Sequence, residues 1–176
     1  MLPLEKQVCR LEYAKKLKEL GVKQHGYFYY IKYLSGSIGL ISIVDEDTRI
    51  YAPCCETWDA FTVAELGVML PHILTINGHE YDLRHYKLQD EGHSFWAPTY
   101  FNAHVDIDTA VKDGMMKYDK GSDNEFYSAF IAYPYFKHDT DAGEWMKFSE
   151  ADNRAFLLIS LLEDKIITVS EINEKY

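Results

Sequence analysis

Apolar residues change their spacing several times along this chain. Leu11, Tyr13, Ala14, Leu17 and Leu20 recur at helical intervals, with Glu12, Lys15, Lys16 and Glu19 between them. That period places the apolar set on one side of a helix over about Leu11–Leu20. Glu12 with Lys16, and Lys15 with Glu19, are spaced to pair on its wet face. Gly21 follows where a left-handed residue closes a helix. From Tyr27 to Leu34 and from Ile38 to Val44 the chain turns to branched and aromatic residues, with Ser35-Gly36-Ser37 between them. This predicts a hairpin whose first strand, apolar on both faces, lies inside a sheet.

Thr62 and Glu65 are spaced as a capping box for a short helix through Leu70, which Pro71 ends. Gly67 inside that helix costs about 1 kcal/mol against alanine, so a close packing contact is expected there. Ile73–Asn77 reads as a brief strand, and His79–Leu88 with His93–Phe101 as a second hairpin closed by Asp90-Glu91-Gly92. Tyr81, Leu83 and His85 alternate with Asp82, Arg84 and Tyr86, the pattern of a sheet with one wet face. Asp108 is placed to cap a weak helix through about Tyr118. The run Phe126–Phe136, interrupted by Pro134, fits a strand and a helix equally. A last long helix over about Glu150–Lys165, with Ser149 as N-cap, carries an apolar arc wide enough to pack deeply against a sheet. Ser170 is expected to cap a final turn.

Together these elements predict one α+β domain over residues 1–176. Its sheet is mainly antiparallel and built from hairpins, with about three helices packed on it. Residues 103–148 form an insertion or elaboration. No repeat, low-complexity tract or Pro/Gly-rich linker divides the sequence.

Composition narrows the function classes. The chain has 176 residues, 47% apolar and 26% charged, which suits a folded protein. A net charge of −10 opposes direct binding of nucleic acid, since that relies on Lys and Arg displacing counterions. The 14 tyrosines suit half-exposed sheets and contact surfaces. The odd count of cysteines, Cys9, Cys54 and Cys55, reads as reduced thiols. No apolar run has the roughly 18 residues needed to span a bilayer, and the opening residues lack a signal peptide's apolar core. A cytoplasmic setting without membrane contact is expected.

Few residue groups suggest chemistry, and no catalytic, cofactor-binding or metal-binding residue is assigned. No phosphate loop, Cys-x-x-Cys pair, His-Glu-x-x-His helix or nucleophile elbow occurs. The most metal-like string is His104-Val105-Asp106-Ile107-Asp108. On a strand, His104, Asp106 and Asp108 share a face and converge on a divalent ion, but an edge strand with a polar outside shows the same alternation. Asp45-Glu46-Asp47 reads as a solvated turn, short of a calcium loop's ligands. His25, His72, His79, His85, His93 and His138 stand in no motif that aims them at a partner. Cys54 and Cys55 have acidic neighbours, Glu56 and Asp59, that disfavour a thiolate. Tyr27, Tyr29, Tyr33, Trp58, Trp96 and Tyr100 form either a stacking platform or ordinary sheet residues.

Three stretches carry a resemblance. The run from Leu11 to Val22, the segment Thr62-Val63-Ala64-Glu65-Leu66-Gly67 with Leu70-Pro71, and Glu150–Ala155 followed by Leu161-Leu162-Glu163-Asp164 resemble short proteins of phages and prophage-like elements of gut bacteria. Arg10 departs from the small hydroxyl cap expected before the first helix. The resemblance implies a genetic setting and brings no activity, cofactor or catalytic residue with it. The resulting expectation is a non-enzymatic accessory protein of a phage or mobile element that contacts another protein. The alternatives are a divalent-metal-dependent hydrolase using His104, Asp106 and Asp108, and an acidic nucleic-acid mimic that occupies a host protein.

Overall fold

The helical period at the start of the chain yields α1, Leu11–Glu19, which buries Ala14 and Leu17. Gly21 at φ 93° ends it, with the Val22 N–H returning to the Leu17 carbonyl at 3.0 Å. A computed structural model describes residues 3–42, 56–90, 93–102, 104–105, 109, 112 and 149–176. Its remaining elements are a 3₁₀ turn at Leu4–Lys6, β1 Phe28–Lys32, β2 Ile38–Ser42, β3 Glu56–Asp59, α2 Val63–Met69, β4 Ile73–Ile76, β5 His79–Asp90, β6 His93–Phe101, α3 Glu150–Glu163 and α4 Val169–Lys175. The fold class is α+β. Among the described residues there are two three-stranded antiparallel sheets, ordered β2-β1-β3 and β4-β5-β6, where one sheet was expected.

The chain divides into two compact units, Met1–Leu70 with Phe148–Tyr176, and Pro71–Lys147. In the first unit β1 is the central strand, as its two apolar faces require. It pairs with β2 in the register Tyr30↔Leu40 and with β3 in the register Tyr30↔Trp58. The strand β3 was not foreseen, because four residues ending in Glu56 and Asp59 carry too weak a pattern.

Capping boxes start three of the helices. Thr62 and Glu65 open α2 as expected, Ser149 and Asp152 open α3, and Thr168 with Glu171 opens α4 in place of Ser170. Nearly the whole circumference of α3 is buried. Its main neighbours among the described residues are α1 and α2, and α1 in turn meets β3. Lys15 and Lys16 leave the expected wet-face pairs: Lys16 Nζ reaches Glu163 at 2.8 Å, and Lys15 Nζ lies 4.6 Å from the Trp58 ring centroid.

In the second unit, Asn77 and Gly78 at φ 51° and 86° make a two-residue turn joining β4 to β5. Left-handed Asn-Gly matches the strand twist there. The expected hairpin of β5 and β6 forms, closing with Asp90 opposite His93. Its buried face fades along β5, since Tyr81 is buried, Leu83 half-buried and His85 exposed. Tyr100 is buried, and its hydroxyl donates to the Pro71 carbonyl at 2.6 Å.

Candidate interaction surface

The β1–β2 turn sets the surface. Tyr33 N–H donates to the Ser37 carbonyl at 2.9 Å, Gly36 N–H donates to the Tyr33 carbonyl at 2.8 Å, and Gly36 takes φ 84°. This is a three-residue connection closed by a left-handed glycine. The turn lifts Leu34 into solvent at 88% exposure, flanked by Tyr33 and Ile38 at 43% and 42%. A Cβ on Gly39 would lie 3.0 Å from the Tyr33 ring, so that ring covers the strand's bare glycine. Tyr33, Leu34 and Ile38 are thus three exposed apolar residues at the turn end of the sheet, Tyr33 on the face of Gly39 and Ile38 on the face opposite.

The ladder fixes which backbone groups of β2 are left over. Bonded and non-bonded pairs alternate in an antiparallel ladder. With Tyr33 bonded to Ser37, the register makes Ile31 with Gly39 and Tyr29 with Ile41 the next bonded pairs. The N–H and C=O groups of Ile38, Leu40 and Ser42 then point away from β1. No described residue pairs with that edge.

The opposite edge of the same sheet is filled. Ala60 N–H donates to the Phe28 carbonyl at 2.8 Å, so Thr57 and Asp59 turn their polar backbone groups outward. Lys18 Nζ donates to the Thr57 carbonyl at 2.6 Å, and the Asp59 N–H donates to Gln24 Oε1 at 2.9 Å. Two side chains thus occupy the positions a further strand would use.

Buried carboxylates behind this sheet are committed to holding the fold. Asp59 accepts from the Gly26 N–H. Glu65 accepts from the Tyr27 N–H, the Thr62 N–H, the Thr62 hydroxyl and the Tyr176 hydroxyl, the last at 2.8 Å. A Cβ on Gly26 would lie 3.3 Å from both Asp59 Oδ2 and Glu65 Oε1, so a side chain there would crowd both acids. Burial, then the Glu65 carboxylate, push the Tyr176 phenol up. Sequence reading took Glu65 as a cap alone and missed Asp59 and Tyr176, whose partners are distant in sequence.

His104 does not lie on the strand that the metal reading requires. It is exposed in a turn, its backbone N–H bonded to Asn102 Oδ1 at 2.7 Å. Asp106 and Asp108 lie outside the described residues, as do Asp45, Glu46, Asp47, Cys54, Cys55, His138, Phe126–Phe136 and most of residues 103–148. Among the described residues, no three His, Cys, Asp or Glu side chains gather into a metal-holding group. His25, His72 and His85 are exposed and His79 is half-buried. Cys9 is buried, and burial pushes its thiol up to about 12. The aromatic series is not one platform: Tyr29, Trp58 and Tyr100 are buried while Tyr27 and Tyr33 are exposed. No helix among the described residues is long and apolar enough to cross a membrane. Comparison with protein-family models, with curated proteins and with solved structures gives no match.

Proposed function

We propose that this is a non-enzymatic accessory protein that works by contacting another protein chain, in the cytoplasm of a bacterium carrying a phage or mobile element. One observation carries the reading: Tyr33, Leu34 and Ile38 are exposed at the turn end of a sheet edge that no described residue fills. Single exposed apolar residues are ordinary on protein surfaces, but three at one turn, beside open backbone bonds, favour a partner. The genetic setting is supported by the three stretches resembling phage and prophage proteins.

The test is capture by the tagged protein from bacterial lysate, comparing wild type with Tyr33→Ser/Leu34→Ser and with the control Val68→Ser. Val68 is 55% exposed on α2, away from the hairpin in sequence. The expected outcome is a specific protein lost with the hairpin variant and retained with the control. Capture that is equal for all three, or no captured protein from a chain that also stays single in solution, removes this reading.

A further inference from the structure

Sheet edges attract other strands, and folded proteins blunt them with proline, charge, short length or covering side chains. Among the described residues there are four such edges, in β2, β3, β4 and β6. The outer edge of β3 is occupied by Lys18 and Gln24. In β6, the Leu83 N–H bonded to the His72 carbonyl at 2.8 Å sets the alternation, which carries through the register of β5 and β6. It puts the nitrogen of Pro98 on the free side, where proline removes a donor. The strand β4 is only 4 residues long. The strand β2, 5 residues long, carries neither proline nor charge, and no described residue covers its outer edge. From Leu34 to Val44 the sequence holds no charged residue and no proline, on a chain of net charge −10.

We infer that the free edge of β2 pairs with the same edge of a second copy, through the outward N–H and C=O groups of Ile38, Leu40 and Ser42. The inference rests on the contact reading above and names the partner. Two features favour a second copy. The outward groups are self-complementary: with Leu40 opposite Leu40, Ile38 faces the other copy's Ser42 and both bonds of each pair close. A two-fold axis through Leu40 therefore satisfies the isologous symmetry of a dimer. Two acidic chains repel over most of their surfaces, and the uncharged run supplies a line along which they can approach.

The test is mass by light scattering or sedimentation over a concentration series reaching about 1 mM, the weak end of specific association. Wild type is expected to rise from the chain mass of 20.5 kDa towards twice that value. Ile38→Lys/Ser42→Lys places like charges opposite each other in the pair, and Leu40→Pro removes an outward donor while sparing the bonds to β1. Both variants are expected to stay at the single-chain mass. The lysine pair makes the net charge less negative, so its loss of association would not come from overall repulsion.

Amide hydrogen exchange on wild type gives an answer free of any folding defect. On concentration, Ile38, Leu40 and Ser42 are expected to gain protection, while Gly39 and Ile41, already bonded to β1, stay unchanged. A wild type that keeps the single-chain mass throughout, or a dimer that both variants leave intact, overturns the inference. If wild type stays single while hairpin-dependent capture persists, the contact reading stands and the second copy does not. If capture is also lost, both fall.

Discussion

Asp152 holds Arg10 at two points across 142 residues of sequence: its Oδ1 accepts the Arg10 backbone N–H at 2.8 Å, and its Oδ2 lies 3.2 Å from Arg10 Nε. The same Oδ2 accepts the Ser149 N–H at 3.0 Å. Arg10 is the N-cap of α1 and offers no side-chain cap of its own. One buried carboxylate therefore opens α3 and anchors the residue from which α1 starts. This accounts for the large residue at a position where a small hydroxyl is usual.

Removing that carboxylate is expected to be costly. Asp152→Asn keeps the shape but loses the charge facing Arg10, and about 2–3 kcal/mol of stability is expected to go with it. Asp152→Ala leaves three donors without an acceptor and should cost more. Urea unfolding followed by circular dichroism measures both. A loss under about 1 kcal/mol for the alanine variant, the range of an exposed pair, would mean that solvent replaces the carboxylate freely.

Gly67 and Arg154 make a coupled pair. A Cβ on Gly67 would lie 2.6 Å from Arg154 Nη1, and the guanidinium is tied to Glu150 by bonds of 3.2 and 2.8 Å. Gly67→Ala alone gains helix propensity but pushes Arg154 off Glu150, so little net change is expected. With Arg154→Ala already in place, the same Gly67→Ala should stabilise by about 1 kcal/mol. A double-mutant cycle in urea decides the matter. Equal effects in both backgrounds would show that Arg154 moves aside at no cost.

This pair also shows how far the sequence could be read. A helical glycine in a capped, otherwise regular segment signals a close neighbour, and one is present. Local signals of this kind located α1, α2, α3 and the two hairpins, because periodicity, caps and turn residues act within a few positions. What stayed hidden depends on distant partners. β3 exists because β1 pairs with it, and α3 packs on helices because Arg10, α1 and α2 meet it. The open edge of β2 follows from ladder phase, which a sequence does not print. Its one visible trace was the uncharged run from Leu34 to Val44.

Glu65 gathers bonds from Tyr27, Thr62 and Tyr176, and its removal should exceed the loss of any one of them. Tyr176→Phe deletes the 2.8 Å bond from its hydroxyl while leaving the ring edge-on to Phe61. About 1–2 kcal/mol is expected for it. Glu65→Ala also strips the α2 cap and leaves buried donors unpaired, for about 3 kcal/mol or more. Thermal or urea unfolding of the two variants should preserve this order. Equal losses would mean that Tyr176 supplies most of what Glu65 contributes.

Alkaline pH should weaken the first unit through Cys9. Its thiol is pushed from 9.0 to about 12, chiefly by burial, and burial likewise raises Tyr13, to about 12, and the Tyr30 phenol. A group whose pKa rises on folding keeps its proton in the folded chain over a range where the unfolded chain has released it. Its contribution is whole below the unfolded value and is lost as pH climbs towards the folded one. For Cys9 that window runs from pH 9 to about 12, with a slope of about 1.4 kcal/mol per pH unit for one proton. Cys9→Ala removes this proton and adds a small packing loss. The stability gap between wild type and Cys9→Ala, measured by urea unfolding, should be constant below pH 9 and narrow above it. A gap that stays constant to pH 10.5 would mean that the thiolate forms within the folded chain at little cost, and that burial does not seal Cys9 from solvent.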